Sequence, residues 1–305
     1  MLSADFIPLA GRDVHQGLTG FAENYSGFII LGCFILSFVV GVMLNQILKE
    51  YDLVNANNTS GLFLYVVFVS AIPLFTSINI FIIVNIFLVM FIQGMMQLSK
   101  VENPVVTIFN TSFYLGVASL FFPPLLFLFI IIWMAILMNR QMDLRNFLIV
   151  LTGLLLPFLL LFTWYFWNDT LWEHGHILFL RLTSIQTLNL FASLTIFDLA
   201  IFFVLLLILS FSILKTFFGI GETSITARRN MMLSLYLLIG LAILVILYSS
   251  VPVTFLMLVA PSVIVVAHAF YAVKNKWLNL LFVLLLSLII IHQYGNYFHV
   301  KNLLF

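Results

Sequence analysis

This chain predicts an all-α fold, a polytopic transmembrane helical bundle of about ten spans, and three observations carry that prediction. Of 305 residues, 64% are hydrophobic and only 8% charged. A soluble domain is about 45–50% apolar and about 25% charged. A water-soluble fold of this composition would therefore lack the polar groups to cover its surface. The apolar residues also fall in runs near the length of about 20 that crosses a bilayer core. Finally, lysine and arginine concentrate in alternate connections between those runs.

The first run, Tyr25 to Leu48, is closed by Lys49, Glu50 and Asp52. From Gly61 to Leu98 no charge interrupts the chain. As one helix that stretch would reach about 57 Å, nearly twice the hydrocarbon thickness. Pro73, Thr76, Ser77 and Asn79 mark a turn that divides it into two spans. The same reasoning divides Val105 to Asn139 at Pro123-Pro124, with both pieces short. Phe147 to Trp167 spans once and ends in Trp164, Tyr165 and Trp167, aromatic residues suited to the interface. Residues 168–191 are more polar and suit an extracytoplasmic interfacial segment, a helix lying in the plane of the interface. Ala192 to Leu214 spans next, Lys215 to Asn230 reads as a polar loop, and Met231 to Tyr248 spans again. Val251 to Val273 and Trp277 to Tyr294 complete ten, within one domain covering 1–305.

Orientation follows from charge. The loops after the odd-numbered spans hold nine of the twelve lysines and arginines, from Lys49 through Lys276. Arg12, Arg181 and Lys301 lie on the other side. Basic residues favour the cytoplasmic face, so both termini and the tail of residues 1–24 are expected outside. A bacterial cytoplasmic (inner) membrane is the expected location. The net charge of +1 and the lack of a basic run leave no basis for nucleic-acid binding. Cys33 is the sole cysteine, which excludes an internal disulfide and a thiolate metal cluster.

Charged and ionisable residues gather on the expected outer side: Asp5, Asp13, His15 and Glu23 first, then Asp169, Glu173, His174, His176 and Arg181. Glu173-His174-Gly175-His176 places a carboxylate and two imidazoles within four residues. Such groups ligate zinc or manganese, and an extended or turn conformation would let both histidines face one way. His15, two residues from Asp13, is a further candidate ligand. The competing reading is a wet loop with no divalent metal. Asp198 is the sharpest single signal, about 9 Å into its span. An aspartate at a helix centre costs about 2.5–3.5 kcal/mol on insertion scales and less nearer the boundary. It predicts either a binding role beside Arg181 or a span that starts later, with Asp198 facing the helix dipole. His268 and His292 sit near span ends and read as interfacial. Arg228-Arg229 with Lys215 reads as an orienting basic cluster, with anionic headgroup binding second. Gly219-Ile220-Gly221 lacks the ending of a phosphate-binding loop.

The segment from Phe109 to Pro124, FNTSFYLGVASLFFPP, is followed by a short basic loop with Arg140 and Arg145 and then by Gly153 to Pro157. From about residue 45 to 170 it resembles a family of bacterial integral membrane proteins of unknown function, known mainly from Bacteroidetes-type genomes. More distantly it is similar to polyprenyl-phosphate-dependent glycosyltransferases of the multi-span GT-C class. That second resemblance implies catalysis at the outer membrane face by a carboxylate in the first outer loop, here Asp13 or Asp5. It implies a polyprenyl-phosphate carrier as partner, and a chain that begins inside or just after that loop. Most of the loop and the first span of that class have no counterpart in this sequence. Three functions follow: a lipid-carrier glycosyltransferase, a transporter or flippase resting on Asp198, and a non-catalytic subunit that assembles with envelope-complex proteins.

Overall fold

The computed structural model describes residues 11–55, 57–72, 80–183, 195–219, 224–248, 252–272 and 276–297. Its elements are helical throughout these residues. In chain order they are α1 (Gly11–Glu50), α2 (Ser60–Ser70), α3 (Phe81–Gln97) and α4 (Val105–Phe121). A 3₁₀ turn (Pro123–Leu128) leads into α5 (Phe129–Met138), then α6 (Leu144–Trp167) and α7 (Leu171–Thr183). The set closes with α8 (Ile196–Gly219), α9 (Ile225–Tyr248), a second 3₁₀ turn (Pro252–Phe255), α10 (Leu256–Ala272) and α11 (Lys276–Tyr297).

The expected count of ten spans needs correction. Among the described residues, five helical stretches are long and apolar enough to cross a bilayer: Leu31–Glu50, Leu144–Trp167, Ile196–Phe217, Ile225–Tyr248 and Val253–Tyr271. Five more are apolar but run only 10–17 residues: Ser60–Ser70, Phe81–Gln97, Val105–Phe121, Pro123–Met138 and Leu278–Gln293. The divisions expected in the two long runs are present, since helices end at Ser70 and Phe121 and resume at Phe81 and Phe129. Those divisions are what shorten the pieces. Proline has no N–H to donate and restricts the residue before it, so Pro123-Pro124 turns the second run into a 3₁₀ segment. The turn residues proposed at Pro73, Thr76, Ser77 and Asn79 lie outside the described residues. Two further expectations change. Gly11–Glu50 is helical well before Tyr25, and Arg228 and Arg229 belong to the first turns of α9 instead of a loop.

Helix α10 is the hub. Within its crossing segment 83% of the residues are buried, against 28% for the segments of α1, α6 and α8. It packs against α2, α3, α8 and α9, and α8 in turn carries α11. Ala260, Ser262, Ala267 and Ala269 are all buried on it, and small residues let neighbouring helices approach closely where lipid offers no hydrophobic drive. Its start is tied polar-to-polar: buried Asn85 on α3 donates from Nδ2 to the Tyr65 hydroxyl (3.0 Å) and to the Leu256 carbonyl (3.2 Å).

A second layer forms where α4 lies between α3 and α6. Here backbone meets backbone. A Cβ on Gly153 would sit 2.7 Å from the Phe109 carbonyl oxygen and 2.9 Å from Ser112 Cβ. On Gly116 it would sit 2.7 Å from the Leu154 carbonyl oxygen and 3.0 Å from Pro157 Cγ. The Thr111, Ser112 and Ser119 hydroxyls donate to Thr107, Ile108 and Gly116 carbonyls of their own helix. Polar atoms on α4 are thereby satisfied without leaving the helix.

The lysine- and arginine-rich end is knit by side chains reaching loop carbonyls. His268 Nδ1–H donates to the Leu53 carbonyl (3.0 Å), and Tyr271 donates to Asn55 Oδ1 (2.7 Å). Gln141 Nε2 donates to Leu98 and Val101 carbonyls, and Asn146 donates to the Gln141 carbonyl. Arg229 reaches Asn139 Oδ1 (3.2 Å) and the Met138 carbonyl (3.4 Å). Lys100 lies over the Tyr51 ring, 4.6 Å from its centroid. Helices α1, α5 and α6 each end through a left-handed residue: Asp52, Arg140 and Asp169, with φ of 57°, 57° and 56°. Each is followed by an N–H bonded back to the carbonyl of Leu48, Ile136 or Tyr165, which closes the exposed helix end.

Gly116→Ala and Gly153→Ala are expected to destabilise the bundle by about 1–3 kcal/mol each through overpacking against backbone. Gly32 has nothing within 4 Å of an added Cβ. Gly32→Ala is therefore expected to be neutral or to stabilise, by up to about 1 kcal/mol from helix propensity. Thermal unfolding of the three variants in one detergent checks the contrast; equal midpoints would remove the close-packing argument.

Candidate functional site

Ionisable side chains inside the bundle meet at the end opposite the basic loops. Asp198 stands in the first turn of α8, and the local sequence explains why. Thr195 and Asp198 have the spacing of a capping box, in which two residues three apart satisfy each other's orphan amides. The Thr195 N–H donates to Asp198 Oδ2 (3.0 Å), and the Asp198 N–H donates to Thr195 Oγ1 (3.3 Å). The threonine hydroxyl also donates to Oδ2 (2.8 Å). A carboxylate in this position faces the positive end of the helix dipole.

The other carboxylate oxygen serves a different helix. Asp198 Oδ1 lies 3.3 Å from Nε2 of His292 on α11, and both residues are buried. The Phe197 ring lies 5.9 Å from the imidazole, centroid to centroid. One turn deeper, Phe202 meets Phe255 edge-on at 4.9 Å, joining α8 to the turn before α10. Next to His292, Gln293 Nε2 donates to the Ser70 carbonyl at the end of α2 (3.2 Å). The end of α2, the start of α8 and the end of α11 are thus fastened at one corner.

This arrangement revises several expectations. Asp198 lies at the start of its helix, as the later-starting span implied, yet it is buried and paired. His292 is a buried partner and not an interfacial residue, and His268 is likewise buried. The 168–191 segment contains a helix, α7, which packs against α6 and the Pro123–Leu128 turn. On a helix His174 and His176 point about 200° apart, so the turn that would have aligned them is not formed. His174 packs its ring 4.1 Å from that of Tyr165, whereas Glu173 and His176 are exposed. Among the described residues no three histidine, cysteine, aspartate or glutamate side chains gather where they could hold a metal ion. Arg181 lies on α7 and Asp13 and His15 lie on α1, while Asp5 falls outside the described residues.

Sequence reasoning overlooked Thr195 and the Asn85–Tyr65 pair, and it named His292 only as an interfacial residue. The Thr-x-x-Asp spacing was a usable signal for the cap. Nothing local pointed to His292, which lies 94 residues beyond Asp198.

Thr195→Ala is expected to cost about 1 kcal/mol, the worth of a helix cap. Asp198→Ala also leaves the imidazole without its carboxylate in a buried place, and a cost of about 3 kcal/mol is expected. Unfolding midpoints in detergent check the order; equal losses would mean that the His292 contact contributes nothing.

Comparison with known proteins gives one match. No curated protein and no solved structure matches this chain. The pattern of a family of unknown function, DUF6427, matches residues 19–301. That span includes α2 to α11 and most of α1, so the packing and the Asp198 corner described above lie wholly inside it. The chain belongs to the DUF6427 family of unknown function.

Proposed function

We propose that this chain is a proton-linked transporter or flippase of amphipathic molecules in the bacterial cytoplasmic membrane, with Asp198 and His292 as the proton-exchange site. The observation that carries the reading is the buried Asp198–His292 contact, which joins α8 to α11. Ionisable groups paired inside membrane bundles mark proton relays and substrate paths. Imidazole is the side chain whose ordinary titration falls between pH 5 and 8. A proton gained or lost at this pair changes the attraction between two helices on one side of the α10 hub. A supporting feature is the irregular entry to α10, the 3₁₀ turn Pro252–Phe255, with Pro261 one turn into the helix, because transporters place substrate beside irregular helix ends. Lateral grooves lined by apolar side chains, such as Cys33, Phe34, Phe38, Val66 and Val69 between α1 and α2, suit a substrate that enters from lipid. In this reading the bias of basic residues favours the cytoplasm for the Lys100 and Arg229 end and the outer side for the Asp198 corner.

The test is movement of a fluorescent short-chain phospholipid across proteoliposomes, read by dithionite quenching at about pH 6 and about pH 8. Wild type is expected to expose inner-leaflet lipid faster than empty vesicles, with a rate that depends on pH. Asp198→Asn and His292→Gln are expected to slow it at least about tenfold, a rise of about 1.4 kcal/mol in the barrier. A rate equal to empty vesicles, or variants as fast as wild type, overturns the reading.

A GT-C-like transferase is the second reading, favoured by α7. That helix carries exposed Trp172, Glu173 and His176 and follows the Trp164–Trp167 aromatic cluster. Asp13 or Asp5 would act as base, with Glu173, His174, His176 and His15 toward a metal or diphosphate and Arg181 toward the carrier phosphate. Native mass spectrometry with undecaprenyl phosphate separates the two readings. Binding lost in an Asp13→Ala/His176→Ala variant favours the transferase; binding unchanged by those substitutions, or none, counts against it. Stable co-purification with one envelope protein would favour a subunit role over both.

A further inference from the structure

We propose a second site, at the opposite end of the bundle from Asp198: a groove between α5 and α6 that holds one anionic glycerophospholipid, its acyl chain against Trp133 and its phosphate between Arg140 and Arg145. The groove has a volume of about 420 Å³ and is lined by Trp133, Ile136, Leu137, Met142, Leu144 and Phe147 together with Asp143. That volume lies within the range of small-molecule sites. Leu137, Met142 and Leu144 are 50%, 68% and 75% exposed. This is a concave apolar surface beside the polar loops, where a lipid chain covers area that water otherwise meets.

Charge at the mouth selects the occupant. Arg140 lies two residues before Met142, Arg145 follows Leu144, and both are exposed. Arg140 occupies a left-handed position that ends α5, and Arg145 stands in the first turn of α6. Arg229 joins the same corner through Met138 and Asn139. One carboxylate, Asp143, lines the groove between Arg140 and Arg145 in the sequence, and it makes no side-chain capping bond to α6. A net positive rim over an apolar slot matches a lipid with an anionic head and an apolar tail. Guanidinium forks suit phosphate oxygens.

The wall of the slot is aromatic. Trp133 stacks on Phe147 (4.6 Å between centroids) and meets Phe129 edge-on at 4.7 Å. The groove therefore offers an apolar, aromatic wall with two exposed arginines close to it in the sequence, matching an acyl chain and an anionic head.

The purified full-length chain in nanodiscs or detergent, with phosphatidylglycerol and phosphatidylcholine as probes, tests the site. Native mass spectrometry is expected to show preferential retention of phosphatidylglycerol. Arg140→Gln/Arg145→Gln is expected to weaken it by about fivefold per arginine, and Asp143→Asn to strengthen it. Acyl chains brominated near the ester are expected to quench tryptophan emission in wild type, with the anionic lipid more effective. Trp133→Phe should remove most of that lipid-dependent difference, leaving four other tryptophans as background. The charge substitutions lie at the surface and Trp133→Phe keeps an aromatic ring in a smaller side chain, so folding of each variant is checked by the unfolding midpoint. Equal retention of the two lipids by wild type, or unchanged retention by the double arginine variant, overturns the proposal. Quenching that Trp133→Phe leaves intact does so as well. None of these readouts depends on transport, so the Asp198 reading and this one fail separately.

Discussion

Helices inside lipid gain nothing from burying apolar side chains against one another, because the solvent is equally apolar. What remains is contact distance, and the bundle depends on it. Gly116 and Gly153 let α4 and α6 meet backbone to backbone, with carbonyl oxygens of Leu154 and Phe109 where a methyl group would stand. Pro157 faces Gly116, so the residue that lacks an amide donor packs against the residue that lacks a side chain. α10 buries alanine and serine residues and is the element on which α2, α3, α8 and α9 converge. Dispersion forces fall off steeply with separation, and these small residues set the separation.

Polar groups divide the labour by depth. Hydroxyls on α4 turn back to carbonyls of their own helix and contribute no link between helices. At the basic end, His268, Tyr271, Gln141 and Arg229 each bind a carbonyl oxygen of a loop or helix end, and the three left-handed helix terminators shape those ends. At the other end a single carboxylate does two jobs, capping α8 and meeting the imidazole of α11. A group shared between a backbone cap and an interhelical contact couples local helix stability to helix arrangement. That coupling is the physical content of a functional reading centred on Asp198.

Much of the fold was legible because lipid imposes strong rules on sequence. The all-helical class followed from composition, the helix breaks from Pro123-Pro124 and the polar residues after Ser70, and the amphipathic α7 from its mixed composition. The span count was not legible to the same degree. A length rule applied to long runs assigns two crossings wherever a run is split, yet the resulting pieces are short and the chain has five helices of crossing length among the described residues. Of the candidate site, Asp198 was visible as an aspartate within an apolar run. Glu173, His174 and His176 were visible as a cluster only under the assumption of a turn, and helical geometry separates them. The segment from Phe109 to Pro124 with Gly153 to Pro157 stood out by resemblance. Its structure shows a packing motif, in which Phe109, Ser112, Gly116, Gly153 and Pro157 touch one another's helices.

By itself, then, the sequence determined that the chain lives in a membrane as helices, where those helices break, and which end carries the basic residues. These properties depend on composition and local order, which lipid and proline read residue by residue. Only the tertiary structure decided that α10 is central and that Asp198 meets His292 across 94 residues. Each of those outcomes is a distance between segments far apart in the chain. Such distances are set by how small residues let helices approach, and no local pattern contains them.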